Sequence, residues 1–202
     1  SNYADLLATE NISHFHENFL PFCETLPKNV LIETRTKSAN ISALLHYAQN
    51  LHWTSPTQNM EIAFSLSPRQ IAQKYELWTA TLDQKIDAIN NLIDKWFRIW
   101  LRFLPLLPVD NFRQIYSDFL DEIADKIDIS KIASIAIAPL IFNQWDYSVL
   151  IKKYQNDSDF LFINDLKQNE HQLRTCSDTE ISTFKELFTD KFKWKNLFRD
   201  YI

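Results

Sequence analysis

The chain has 202 residues, 46% hydrophobic and 23% charged, which is enough apolar material for one domain with a sizeable core and too much for a disordered segment. A net charge of −5 argues against a strong polyanion binder, and two cysteines exclude both a disulfide framework and a four-thiolate zinc site. Glycine is absent, where average usage predicts roughly 14, while tryptophan occurs six times.

The chain opens at Ser1 without an initiator methionine, so it reads as a fragment or processed product. Asn11 or Ser13 is placed to cap a helix with Ile12, Phe15, Phe19 and Phe22 on one side, ending near Pro27. Val30 to Thr36 is a β-branched run of strand length. Ile41, Leu44, Leu45 and Ala48 then repeat at helical spacing. Met60 to Leu66 is the next strand, and Ser67-Pro68 starts a helix. A further helix spans about Thr81 to Lys95, with Leu82, Ile86, Ile89 and Ile93 as its buried stripe.

Phe97 to Leu104 reads as the third strand, ended by Pro105 and Pro108. Asp110 caps a helix through about Lys126, and Ile132 to Ala138 is a fourth, uniformly apolar strand. Helix follows from Tyr147 to Tyr154, then an edge-strand segment at Phe160 to Ile163, and a last helix from Asp178 to Phe198. Strand and helix alternate with short connections, as in a barrel segment or an open doubly wound sheet of parallel strands. Arg98 and Arg102 interrupt the longest apolar run before the ~18 residues of a membrane span, and no secretory signal pattern is present. A cytoplasmic monomer is expected.

In parallel α/β folds, ligands bind beyond the carboxyl ends of the strands. The first strand ends in Arg35 and Lys37 on one side, shared with Glu33. These cations either hold a ligand carboxylate or phosphate, or pair with Glu33 at the rim. Ser65 is a hydroxyl in an apolar strand and a ligand candidate, whereas Ser67 reads better as a helix cap. Arg102 either pairs, with Glu33 or Glu61, or reaches a ligand. His14 and His16 point to different faces, and His46 and His52 read as surface residues. Cys23 reads as a buried hydrophobe; Cys176 reads as an exposed bystander or, beside Arg174, His171 and Lys167, as an activated thiol.

Three ordered motifs are more specific. They are Glu33-Thr34-Arg35-Thr36-Lys37-Ser38 with Leu44-Leu45, then Phe64-Ser65-Leu66-Ser67-Pro68 with Tyr75-Glu76, then Thr79-Ala80-Thr81-Leu82. Together they resemble the spore photoproduct lyase family of radical S-adenosylmethionine enzymes, clearly over Tyr3 to Pro108 and more weakly beyond. The resemblance implies a partial (β/α)6 barrel of the radical SAM type, its N-terminal strands and cluster loop missing. Residues 1–155 would form the barrel segment and 156–202 a loop and helix extension of the same domain. It also implies S-adenosylmethionine and a [4Fe–4S] cluster in the parent protein, hydrogen-atom abstraction as the chemistry, and damaged DNA as the partner. By motif position Lys37 and Ser65 contact S-adenosylmethionine, with Arg35, Ser67 and Arg102 as further candidates.

Two departures accompany it. The Cys-x3-Cys-x2-Cys cluster loop is absent, and Cys23 and Cys176 cannot replace it. The chain alone is then inactive, or it is a non-catalytic α/β binding module. Trp78, Trp96 and Trp100 stand where the family has glycine. Tryptophan is a poor substitute for a residue that supplies positive φ and close approach. We therefore read the tryptophans as glycine codons, for instance UGA, reassigned in the source; real tryptophans at 78 and 100 would obstruct the S-adenosylmethionine pocket. A C-terminal group, Lys167, Arg174, Lys185, Lys191, Lys193 and Lys195, offers phosphate contacts or a solvated helix face.

Overall fold

The computed structural model describes residues 5–50 and 59–192. Its centre is a four-stranded parallel sheet in chain order: β1 (Ile32–Thr36), β2 (Met60–Ser65), β3 (Arg98–Leu106) and β4 (Ser134–Pro139). Between the strands run α3 (Ser42–Asn50), the pair α4 (Arg69–Tyr75) and α5 (Leu82–Asp94), and α6 (Phe112–Lys126). Sequential parallel order is what short β-α-β crossovers produce, one right-handed step at a time. β3 continues through Pro105, beyond the expected end, and its register with β4 shifts between Phe103 and Leu106.

The pleat divides the sheet chemically. Ile62 and Phe64, Ile99, Leu101 and Phe103, Ile135 and Ile137 join the core with Ile86, Ile89 and Leu92 of α5 and Phe119 and Ile123 of α6. The opposite face carries Glu33, Arg35, Glu61, Ser65, Arg98, Arg102 and Ser134, in register across the four strands. Helices therefore cover one face, and the other is lined with charge.

Before the sheet come α1 (Glu10–Ser13) and α2 (Phe15–Glu24), broken at His14 by a left-handed residue with φ of 48°. The single helix expected here is thus two, and its buried side is not the phenylalanine row. His16, Leu20 and Cys23 are buried; Phe15 and Phe19 stack on each other, and Ile12 and Phe22 are exposed. After β4, a small antiparallel sheet of β5 (Ile141–Phe142), β6 (Lys167–Gln168) and β7 (Arg174–Thr175) brackets α7 (Gln144–Tyr154). The expected edge strand at 160–163 is a 3-10 turn, Leu161–Asp165. α8 (Asp178–Phe192) packs Phe184 and Phe188 into the same core as α6; residues 193–198 of the expected helix lie outside the described part. Asn111, not Asp110, holds the N-cap position of α6, with no side-chain cap hydrogen bond.

Among the described residues, five non-glycine residues have positive φ, and two are tryptophans: Trp78 at 71° after α4 and Trp96 at 67° after α5. Bulky residues rarely adopt this region, which glycine enters without a Cβ clash. Trp100 sits inside β3 and Trp145 inside α7, so the backbone argument for glycine holds at 78 and 96 only; Trp53 and Trp194 lie outside the described residues. Neither left-handed indole is packed, at 102% exposure for Trp78 and 74% for Trp96.

Candidate functional site

The carboxyl ends of β1 and β2 meet a loop that runs from α4 to α5. A capping box fixes that loop: Thr81 Oγ1 accepts from Gln84 N, and Gln84 Oε1 accepts from Thr81 N. Ala80 N also donates to the Lys37 carbonyl at 3.3 Å, tying the loop to the end of β1. On the other side Asp5 accepts from Thr36 Oγ1 and from Lys37 N, the latter at 2.7 Å. Between them opens a cleft of about 390 Å³ lined by Arg35, Lys37, Ser38, Ser65, Trp78 and Thr79.

Three of the five expected site residues, Arg35, Lys37 and Ser65, thus share one cleft. Trp78 stands at its rim with the indole in solvent, so it does not fill the space as feared from its size. Arg35 also donates to Glu33, which is the rim pairing read from the strand. Ser67 does not line the cleft and is no helix cap: Pro68 holds the N-cap position of α4, and Ser67 Oγ donates to Glu76 Oε1 at 2.7 Å. Arg102 is buried, pairs with Glu33, and stacks 5.0 Å over the Trp100 ring. Of the two roles open to it, the ion pair with Glu33 is the one observed. Glu61, instead, takes Arg98 through two hydrogen bonds to one oxygen.

Glu76 is the centre of the charge below the cleft. Its Oε1 accepts from Lys37 Nζ at 2.7 Å as well as from Ser67, and its Oε2 lies 3.8 Å from Lys85 Nζ. Lys85 is 2% exposed on α5. Burial lowers its pKa to about 8; Glu76 and Asp5 oppose that shift and Lys37 adds to it. Neither Glu76 nor Lys85 was singled out as a site residue from sequence. The available signal was Lys85 itself, a charge three residues after Leu82 and four before Ile89 on the apolar stripe.

The thiols are not part of this site. Cys23 is buried, as expected. Cys176 is buried too, which overturns both the exposed and the activated readings: its Sγ lies 3.9 Å from the Leu106 carbonyl, and burial, with the nearby Glu180 charge, pushes the thiol up to about 12. Among the described residues no group of three His, Cys, Asp or Glu side chains is placed to hold a metal ion. The donors present therefore do not fit an iron–sulfur cluster. No described helix is long and apolar enough to cross a membrane.

No family model matches the chain. Over 92 residues it is 27% identical to a spore photoproduct lyase of Clostridium acetobutylicum, a match covering 46% of this chain and 25% of that protein. A solved cysteine-to-alanine mutant of spore photoproduct lyase with dinucleoside spore photoproduct matches at a TM-score of 0.75 and 14% identity, over 98% of this chain and 58% of that one. A double mutant with bound S-adenosylmethionine and the same dinucleoside matches equally well, with a TM-score of 0.75. The chain resembles these enzymes in sequence and shares their fold, as a partial barrel whose four parallel strands do not close. It spans about a quarter of the curated relative and just over half of the solved chains.

Proposed function

We propose that this chain is the S-adenosylmethionine-binding portion of a radical S-adenosylmethionine enzyme that repairs a DNA photoproduct. The observation that carries the reading is the cleft at the ends of β1 and β2, where the motif residues Lys37 and Ser65 converge. Lys37 already holds a carboxylate, that of Glu76, at 2.7 Å, so its ammonium is suited to the carboxylate of a methionyl group. Ser65 offers a hydroxyl to a polar group of the same ligand, and Arg35 stands at the rim. Bound there, S-adenosylmethionine would supply the hydrogen-abstracting chemistry of the enzymes the chain resembles; the residues described here bind and orient it. The cluster that those enzymes use has no ligand set among the described residues, and no step is assigned to it.

Thermal unfolding with S-adenosylmethionine tests this. A ligand at 100 times its dissociation constant adds about 2.7 kcal/mol, which is about 5–10 °C for a chain of this size. Lys37→Ala is expected to lose most of that shift; a wild-type chain that does not shift refutes the reading. The damaged-DNA substrate is tested separately, by binding of a photoproduct-containing oligonucleotide that weakens steeply as salt rises.

The lack of a metal-ligand group among the described residues favours a second reading, a non-catalytic module that binds the same ligand. The source DNA separates the two: an in-frame Cys-x3-Cys-x2-Cys upstream of the Ser1 codon makes the chain part of a radical enzyme, and a genuine start codon at Ser1 with no such triplet makes it the module.

A further inference from the structure

We propose that Lys85 is a positioning residue for this cleft, holding the Glu76 carboxylate from its buried side so that Lys37 can turn its ammonium to the carboxylate of a bound ligand. This rests on the cleft being an S-adenosylmethionine site and assigns a role that the motifs do not. The geometry gives the reason. Glu76 uses Oε1 for both Lys37 and Ser67, whereas its buried Oε2 has no hydrogen-bond partner and faces Lys85 at 3.8 Å. If Lys37 left for a ligand with no second cation present, a mostly buried carboxylate would keep a single hydroxyl donor, an arrangement that burial disfavours.

The same charges make binding sensitive to protonation. Lys85 is faced by Glu76, by Lys37 from the end of β1 and by Asp5 from the segment before α1. A ligand carboxylate adds negative charge beside this group and draws Lys37 away, and both changes favour a charged Lys85. Well below pH 8, Lys85 is charged in free and bound protein alike, so affinity is level and no proton is taken up. Above about pH 8 the free protein must gain a proton to bind, and affinity falls by up to about tenfold per pH unit.

The experiment is titration calorimetry of the chain with S-adenosylhomocysteine, in two buffers of different ionisation enthalpy, from pH 6.5 to 9.5. 5′-Methylthioadenosine, which lacks both the carboxylate and the α-amino group, serves as the comparison ligand, and Lys85→Arg with the first ligand reports any protonation of the ligand's own amine. Proton uptake at pH 8–9 with the first ligand and none with the second is the expected result. Lys85→Met should bind S-adenosylhomocysteine about tenfold more weakly and take up no proton. Lys85→Arg, always charged, should restore affinity and flatten the pH profile, a result that a merely structural lysine would not give. If Lys85→Met does not fold, the arginine variant and the wild-type profile carry the test. Tight wild-type binding that is level to pH 9.5 overturns the role of Lys85 and leaves the cleft assignment standing; no binding of S-adenosylhomocysteine at any pH overturns both.

Discussion

Replacing Trp78 and Trp96 with glycine is expected to stabilise the protein, against the usual sign for removing a large side chain. An L-residue in the left-handed region carries a Cβ clash worth about 1–2 kcal/mol, and both residues lie there, at φ of 71° and 67°. Burial offers little on the other side, because the two indoles are 102% and 74% exposed. Glycine adds unfolded-state freedom that takes back about 0.5–1 kcal/mol per site. The balance is a gain of about 0.5–1 kcal/mol at each position, or about 1–2 kcal/mol together, since the residues close different helices. Urea denaturation at constant m-value reads this as a rise in midpoint. Trp145→Gly is the control: Trp145 is 75% exposed but lies in the first turn of α7, where glycine has no left-handed strain to relieve and should be neutral or cost up to about 0.5–1 kcal/mol. If all three substitutions destabilise alike, the conformational argument fails. The source DNA gives an independent check, because TGG codons at 78 and 96 would refute reassignment.

Two further expectations concern stability. Arg69 joins Asp83 and Glu122 across α4, α5 and α6, and hydrogen bonds from Arg69 and Lys126 hold both carboxyls below their ordinary range. Their stabilising effect is complete above the unfolded pKa values near 4 and is lost as pH falls through the lower folded values, so denaturation midpoints should drop as the pH falls below about 4. Arg69→Met should flatten that drop, and an unchanged pH profile in this variant would refute it. Tyr116→Phe removes the oxygen that accepts from Leu107 N at 3.0 Å in the core, and stranding that N–H should cost about 1–3 kcal/mol by urea denaturation; a neutral substitution would show that the amide finds another partner.

The parallel sheet was legible because its strands are short β-branched or apolar runs, each followed by a periodic helix. The meeting of Lys37 and Ser65 in one cleft was legible for the same reason, since a parallel topology brings the ends of adjacent strands together. Glu76 and Lys85 were not, because periodicity assigns a stripe position to the core without saying that its amine will meet a carboxylate across a loop. The break at His14 had no signal either; no residue type there demands a left-handed backbone. The phenylalanine row of α2 misled because aromatic residues can satisfy one another at the surface, as Phe15 and Phe19 do by stacking, while His16 goes inside on the Glu10 carboxylate at 2.7 Å. Ser67 before Pro68 matched a capping pattern, yet its hydroxyl was claimed by a carboxylate nine residues on.

The two buried thiols make the chain its own opening gauge. Cys23 lies in α2 and Cys176 two residues before α8, and neither is accessible to an alkylating reagent in the closed protein. Modification of each must then await exposure of its own end of the molecule, and the two labelling rates, read by mass, time those excursions separately. Equal rates at all denaturant concentrations would mean that both ends come away only with the whole. A faster Cys176 would mean that the last helix lifts from α6 while the sheet stays intact.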